Sequence, residues 1–107
     1  MSATHTSSRR MAAPATLGLE TRAAFRTEAI ALLEEMPEGI GALVVDLSAT
    51  RSVDSAGLGA LMLVQRRAAE RRQAVILRSL NDELRCLLAL TRLDDLFEFQ
   101  PARAGRQ

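Results

Sequence analysis

The 107 residues, 48% apolar and 25% charged with a formal net charge of +1, leave room for one hydrophobic core and none for a second. That balance excludes a disordered chain, which needs fewer apolar groups or more net charge, and a protein drawn to nucleic acid or membrane by excess cation. No stretch approaches the roughly 20 apolar residues of a membrane span, and the single cysteine, Cys86, excludes an intramolecular disulfide and a cysteine metal cluster.

Residues 1–16 are rich in Ser, Thr and Ala, carry Arg9 and Arg10 without an acid, and show no sustained periodicity. They read as a mobile tail or at most a short first strand, with the domain proper over 17–100 and a second tail over 101–107. The first ten residues lack the apolar centre of a secretory signal. With one cysteine this favours a cytoplasmic protein without membrane insertion.

From Thr21 the pattern turns helical: Phe25, Ala29, Leu32, Leu33 and Met36 recur on one side, with Arg22, Arg26, Glu28, Glu34 and Glu35 on the other. Thr21 is a candidate N-cap, and Pro37, Gly39 and Gly41 end the helix. Ala42-Leu43-Val44-Val45 is an unbroken apolar run, as in a parallel strand buried on both faces, and it ends at Asp46. A polar stretch, Ser48 to Ser52, leads to a second helix over about Ala56 to Arg72, with Leu58, Leu61, Met62, Gln65 and Ala69 along one side.

Ala74 to Leu77 is a second buried strand, and Asn81 or Asp82 caps a third helix reaching about Leu90, with Leu84, Leu87 and Leu88 inward and Cys86 packed as a small hydrophobe. Leu96 to Phe99 closes the domain as a short strand or helical turn. Strands alternating with helices predict a single α/β domain: a mixed, largely parallel sheet of four to five strands with helices packed on it.

The segment richest in chemistry runs from Val44-Val45-Asp46-Leu47-Ser48 to Val53-Asp54-Ser55-Ala56-Gly57-Leu58-Gly59-Ala60-Leu61. It resembles the STAS family (sulfate transporter and anti-sigma factor antagonist), whose pattern is an apolar strand ending in Asp, a loop, then Asp-Ser-small-Gly-Leu opening a helix. The Val75-Ile76-Leu77 strand and Thr91-Arg92-Leu93-Asp94-Asp95-Leu96-Phe97 extend the likeness, which covers about Gly18 to Phe99. One departure stands at the start: the family opens on a longer strand pair ending in a Gly-x-Leu-Asp type turn. Here Gly18-Leu19-Glu20 follows a short proline-containing lead, with Glu20 in place of that acid.

The resemblance implies a non-catalytic anti-sigma factor antagonist. Its partners would be an anti-sigma factor with serine kinase activity and a serine phosphatase, with no direct contact to nucleic acid. It places the phosphoacceptor at Ser55 and a partner-binding face around Asp46, Ser48, Asp54, Ser55, Ala56, Gly57, Leu58 and Glu20. Physical reasoning adds that a phosphate beside a first helical turn is attracted by the helix's positive end, so the fold survives and release must arise at the interface. Asp54 is expected to cap the helix and to help orient the target hydroxyl, and Asp46 to organise the loop; the alternative to the partner face is that Gly57 and Gly59 serve only close strand–helix packing.

Two rival roles share these residues: the STAS accessory subunit of a lipid-asymmetry ABC transporter, and a structural part of a larger signalling assembly. Catalysis is not expected, because the single histidine, His5, falls in the tail segment and Ser55 lacks a Gly-x-Ser-x-Gly elbow. No cofactor or metal is expected either, since Asp94 and Asp95 form no ligand loop. Arg66, Arg67, Arg71 and Arg72 read as a solvated helix end, without interleaved aromatics for base stacking. Oligomeric state is left open.

Overall fold

A computed structural model describes residues 7–100. Residues 1–6 of the expected N-terminal tail or strand, with His5, and the expected tail at 101–107 lie outside the described residues. In chain order the elements are β1 (Ser7–Ala12), β2 (Thr16–Leu17), α1 (Arg22–Glu34), β3 (Gly41–Asp46), β4 (Ser52–Val53), α2 (Ser55–Glu70), β5 (Ala74–Arg78), α3 (Asp82–Leu90), a 3-10 turn (Asp94–Leu96) and β6 (Glu98–Gln100).

The main sheet has the order β1-β3-β5-β6, and its three strand pairs are all parallel. The α/β class and the four-strand count agree with the sequence reading, while the mixed character does not: no antiparallel pair occurs in either sheet of the described residues. A parallel pair needs a crossover between its strands, and α1, α2 and α3 lie within the three connections.

Among the described residues before Leu17, a strand forms over Ser7–Ala12. Ser7 to Ala12 pairs along its whole length with Gly41 to Asp46, and Met11 is buried in the core. The domain therefore starts well before residue 17. Thr16 and Leu17 then pair with Ser52 and Val53 in a separate two-stranded ladder.

β3 is buried from Gly41 to Val45, as its unbroken apolar run requires. Alternation divides its side chains between the two faces. Leu43 and Val45, with Val75 and Leu77 of β5 and Met11 of β1, join the buried residues of α1, α2 and Leu88 of α3 in one core. Ala42, Val44 and Ile76 form a smaller cluster on the opposite face.

α1 buries Phe25, Ala29 and Leu33, as its periodicity demands. Its C-terminal end is fastened from a distance: Gln73 Nε2 donates to the Leu33, Met36 and Pro37 carbonyls at 3.0, 3.2 and 3.2 Å. The Arg71 guanidinium adds a bond to the Met36 carbonyl at 2.8 Å. Met36 and Pro37 lie just past the end of α1, and the Leu33 carbonyl also accepts from the Met36 amide at 3.2 Å.

α2 turns a different side inward from the one expected. Gly57, Ala60, Leu61, Val64 and Ala68 are buried, Leu58 and Gln65 are half-buried, and Met62 and Ala69 are exposed. Small side chains decide this, because α2 packs close to the β2 backbone: a Cβ on Gly57 would collide with the Leu17 carbonyl. Gly59 has no such neighbour, so only one of the two glycines serves close packing. In α3, Leu84 and Leu88 are buried but Cys86 is exposed, contrary to expectation. Two residues from Leu84 is about half a helical turn away, which points Cys86 outward.

Candidate functional site

Residues 14–17, which follow β1, form the platform of the site. The Ala15 carbonyl accepts from the Arg51 amide at 2.8 Å, the Leu17 carbonyl accepts from the Asp54 amide at 3.2 Å, and the Thr50 hydroxyl donates to the Pro14 carbonyl at 2.8 Å. Residues 14–17 therefore hold the chain from Thr50 to Asp54 in place, immediately before α2 begins. Thr50 is 97% inaccessible and Asn81 Nδ2 donates to its carbonyl at 3.4 Å, which ties the loop to α3 as well.

Asp54 is the N-cap of α2. Its backbone is extended (φ −92°, ψ −175°) and its Oδ1 accepts from the Gly57 amide at 2.9 Å, satisfying one of the helix's free donors. Its Oδ2 reaches the other way, to the Leu19 amide at 3.4 Å. Gly18 lies so close beneath this carboxylate that a Cβ there would strike it. The Gly18–Thr21 turn is closed by Thr21, whose Oγ1 accepts from the Gly18 amide at 2.9 Å and donates to the Thr16 carbonyl at 2.8 Å. Thr21 occupies the N-cap position of α1, yet its hydroxyl makes no capping bond, because it is committed to this turn.

Ser55 follows as the first residue of α2, exposed, with no hydrogen bond from its hydroxyl to any described residue. Ser55, Gly59, Met62 and Arg66 are all exposed and spaced four, three and four residues apart. That spacing puts them in one line on the outer side of α2. Gly59 leaves the line flat in its middle. Leu19, 65% exposed, and Glu20 stand beside the start of this line, and both line a shallow depression with Thr16, Gly18, Thr21 and Asp54.

The eight residues singled out as a partner face thus divide. Glu20 and Asp54 line one depression, and exposed Ser55 follows Asp54 in the chain, with Ala56 half-buried after it. Gly57 is buried and faces Leu17, so it shapes the face from beneath and is corrected from contact residue to packing residue. Leu58 is half-buried and turns inward to a small apolar cavity with Leu47, Leu61 and Leu84. Asp46 ends β3, where its Oδ1 accepts from the Ser48 amide at 2.9 Å. The Ser48 amide and hydroxyl hold the Asp46 carboxyl below the ordinary value of 3.8 against the opposing effect of burial, with lesser help from Arg78 and Arg10. Asp46 is a loop organiser, and Ser48, exposed, is its donor.

Sequence reasoning missed Leu19 and Met62 as exposed apolar groups, the first because it was read for its acidic neighbour and the second because it was assigned to the core. It also missed a groove on the other side of β4, lined by Arg51, Ser52, Val53, Cys86, Leu87 and Leu90.

A family model described as "Mlab, STAS domain" matches residues 3–98. The chain belongs to the STAS domain family. A Thermotoga maritima protein assigned as an anti-sigma factor antagonist superposes with a TM-score of 0.73 at 22% identity, over 86% of this chain and 77% of that one. An anti-sigma-factor antagonist (STAS) domain protein from Planctomyces limnophilus gives a TM-score of 0.73 at 16% identity, over 87% and 80%. A sulfate transporter family protein from Wolinella succinogenes gives 0.62 at 15% identity, over 87% and 75%. At these identities the likeness is one of fold. No curated protein sequence matches the chain. No helix among the described residues is long and apolar enough to cross a membrane.

Proposed function

We propose that this STAS domain is an anti-sigma factor antagonist, a non-catalytic cytoplasmic protein that binds an anti-sigma factor with serine kinase activity through the outer line of α2 and the Gly18–Thr21 turn. The observation that carries the reading is the setting of Ser55: exposed, without a hydrogen-bond partner among the described residues, and placed as the first residue of α2 after the Asp54 cap. The kinase transfers the γ-phosphoryl group of ATP to Ser55 Oγ, which gives up its proton, and ADP leaves. A serine phosphatase hydrolyses the ester and resets the switch.

The added group brings nearly two negative charges to a surface that already carries Asp54 and Glu20. The free N–H groups of α2 tolerate it, so the fold stands. A packed partner surface does not, and a loss of about 3 kcal/mol weakens association more than a hundredfold.

A second reading, the accessory subunit of a lipid-asymmetry ABC transporter, is favoured by the name under which the matching family model is described. It uses the same face against an ATPase subunit and needs no phosphate. Incubation with each serine-kinase anti-sigma factor of the source organism and ATP, followed by mass spectrometry, separates the two. Phosphate on Ser55 supports the first reading. An unmodified Ser55, with capture of a transporter ATPase, supports the second.

A further inference from the structure

The carboxylate of Asp54 makes two bonds of unequal quality. Oδ1 to the Gly57 amide, at 2.9 Å, is a full capping bond, whereas Oδ2 to the Leu19 amide, at 3.4 Å, is long and weak. Between them lies Gly18, whose missing side chain is what lets the carboxylate settle there. Across the weak bond stands Leu19, 65% exposed. One side chain therefore joins the start of α2 to the turn that displays Leu19.

We propose that Asp54 is a positioning residue that clasps the Leu19 turn to α2, and that charge added at Ser55 opens the clasp. The inference rests on Ser55 being the switch residue. A phosphate on Ser55 is attracted to the same first-turn amides that Asp54 caps, and it repels the carboxylate one residue away. The bond that yields is the weaker one, to Leu19. The turn then loses its tie to α2, and the exposed Leu19 leaves the position it holds beside the Asp54 cap. Phosphorylation so acts twice on a docking partner: by charge at Ser55 and by withdrawal of an apolar contact that the phosphate itself does not touch.

Three variants separate this device from simple repulsion. Asp54→Asn keeps an oxygen to cap Gly57 but places an NH2 group, which cannot accept, against Leu19. Gly18→Ala pushes the carboxylate aside without adding charge. The third protein carries phosphoserine at position 55, introduced during synthesis so that no kinase is required. Amide proton shifts of Leu19 and Gly57, and their temperature coefficients, are read by NMR on each 107-residue protein, with urea midpoints to verify the fold.

In all three the Leu19 amide is expected to move to the shift and steep temperature coefficient of a water-exposed amide, while Gly57 in Asp54→Asn keeps its capped signature. An unmoved Leu19 amide in the phosphoserine protein overturns the clasp, even if partner binding is lost, and leaves the switch reading standing. A displaced Leu19 amide with unchanged partner binding overturns both the switch reading and the claim that withdrawal of Leu19 weakens docking. If Gly18→Ala fails to fold, the Asp54→Asn and phosphoserine results decide alone.

Discussion

A methyl group added at Gly57 meets the Leu17 carbonyl, backbone that belongs to the β2–β4 ladder and cannot turn aside. The Gly57→Ala protein should therefore lose about 3 kcal/mol, at the upper end of overpacking effects. Two residues on, Gly59 meets nothing and occupies an ordinary helical position, where Gly weakens a helix. Gly59→Ala should gain about 0.5–1 kcal/mol. Urea unfolding of both proteins checks the pair, and equal effects would contradict the packing described for α2. Asp46 gives a residue-scale test in pH. Its folded pKa lies below the ordinary 3.8, so its contribution to stability is complete above that value and is lost as pH falls through the lower, folded one. In Ser48→Ala the amide donor remains and the hydroxyl goes, so a carbon-detected titration should find the Asp46 pKa raised partway toward 3.8 and still below it.

At the scale of elements, the end of α1 depends on a residue outside it. Gln73 is buried and serves three carbonyls of the α1 end and its following turn, so Gln73→Leu, similar in size but without the amide, removes these three bonds, leaving the Met36 carbonyl to Arg71 and the Leu33 carbonyl to the Met36 amide. A loss of about 2 kcal/mol is expected by thermal or urea unfolding. Nothing in the sequence around Gln73 announces this task, since its partners lie some forty residues earlier and only the fold brings them together. The elements that the sequence did announce are those whose burial is one-sided or complete: α1 with Phe25, Ala29 and Leu33, the run of β3, and α2 opening after Asp54. Where large apolar residues do not mark the buried side, pattern fails. α2 rests on Gly57, Ala60 and Ala68, so weighting by size drew the expected inner side toward Met62, which faces solvent.

Taken as a whole, the molecule illustrates why the candidate site was only half legible. Asp54 and Ser55 could be found from a strand–loop–helix pattern contained within residues 44–61. What positions them could not, because β1 is an edge strand whose Ser7-Ser8-Arg9-Arg10 carries no apolar alternation, and its pairing with β3 spans more than thirty residues. The contacts of Pro14, Ala15 and Leu17 with Thr50, Arg51 and Asp54 are likewise nonlocal and run through backbone, which side-chain patterns do not record. The outcome is a rigid α2 start with one unoccupied hydroxyl on its surface. The most direct test of its use is the affinity of the anti-sigma factor for the protein with Ser55 free and with Ser55 phosphorylated, measured by titration calorimetry alongside a circular dichroism spectrum of each form. The account predicts a loss of more than about a hundredfold with the fold unchanged; equal affinities, or a loss accompanied by unfolding of α2, would contradict it.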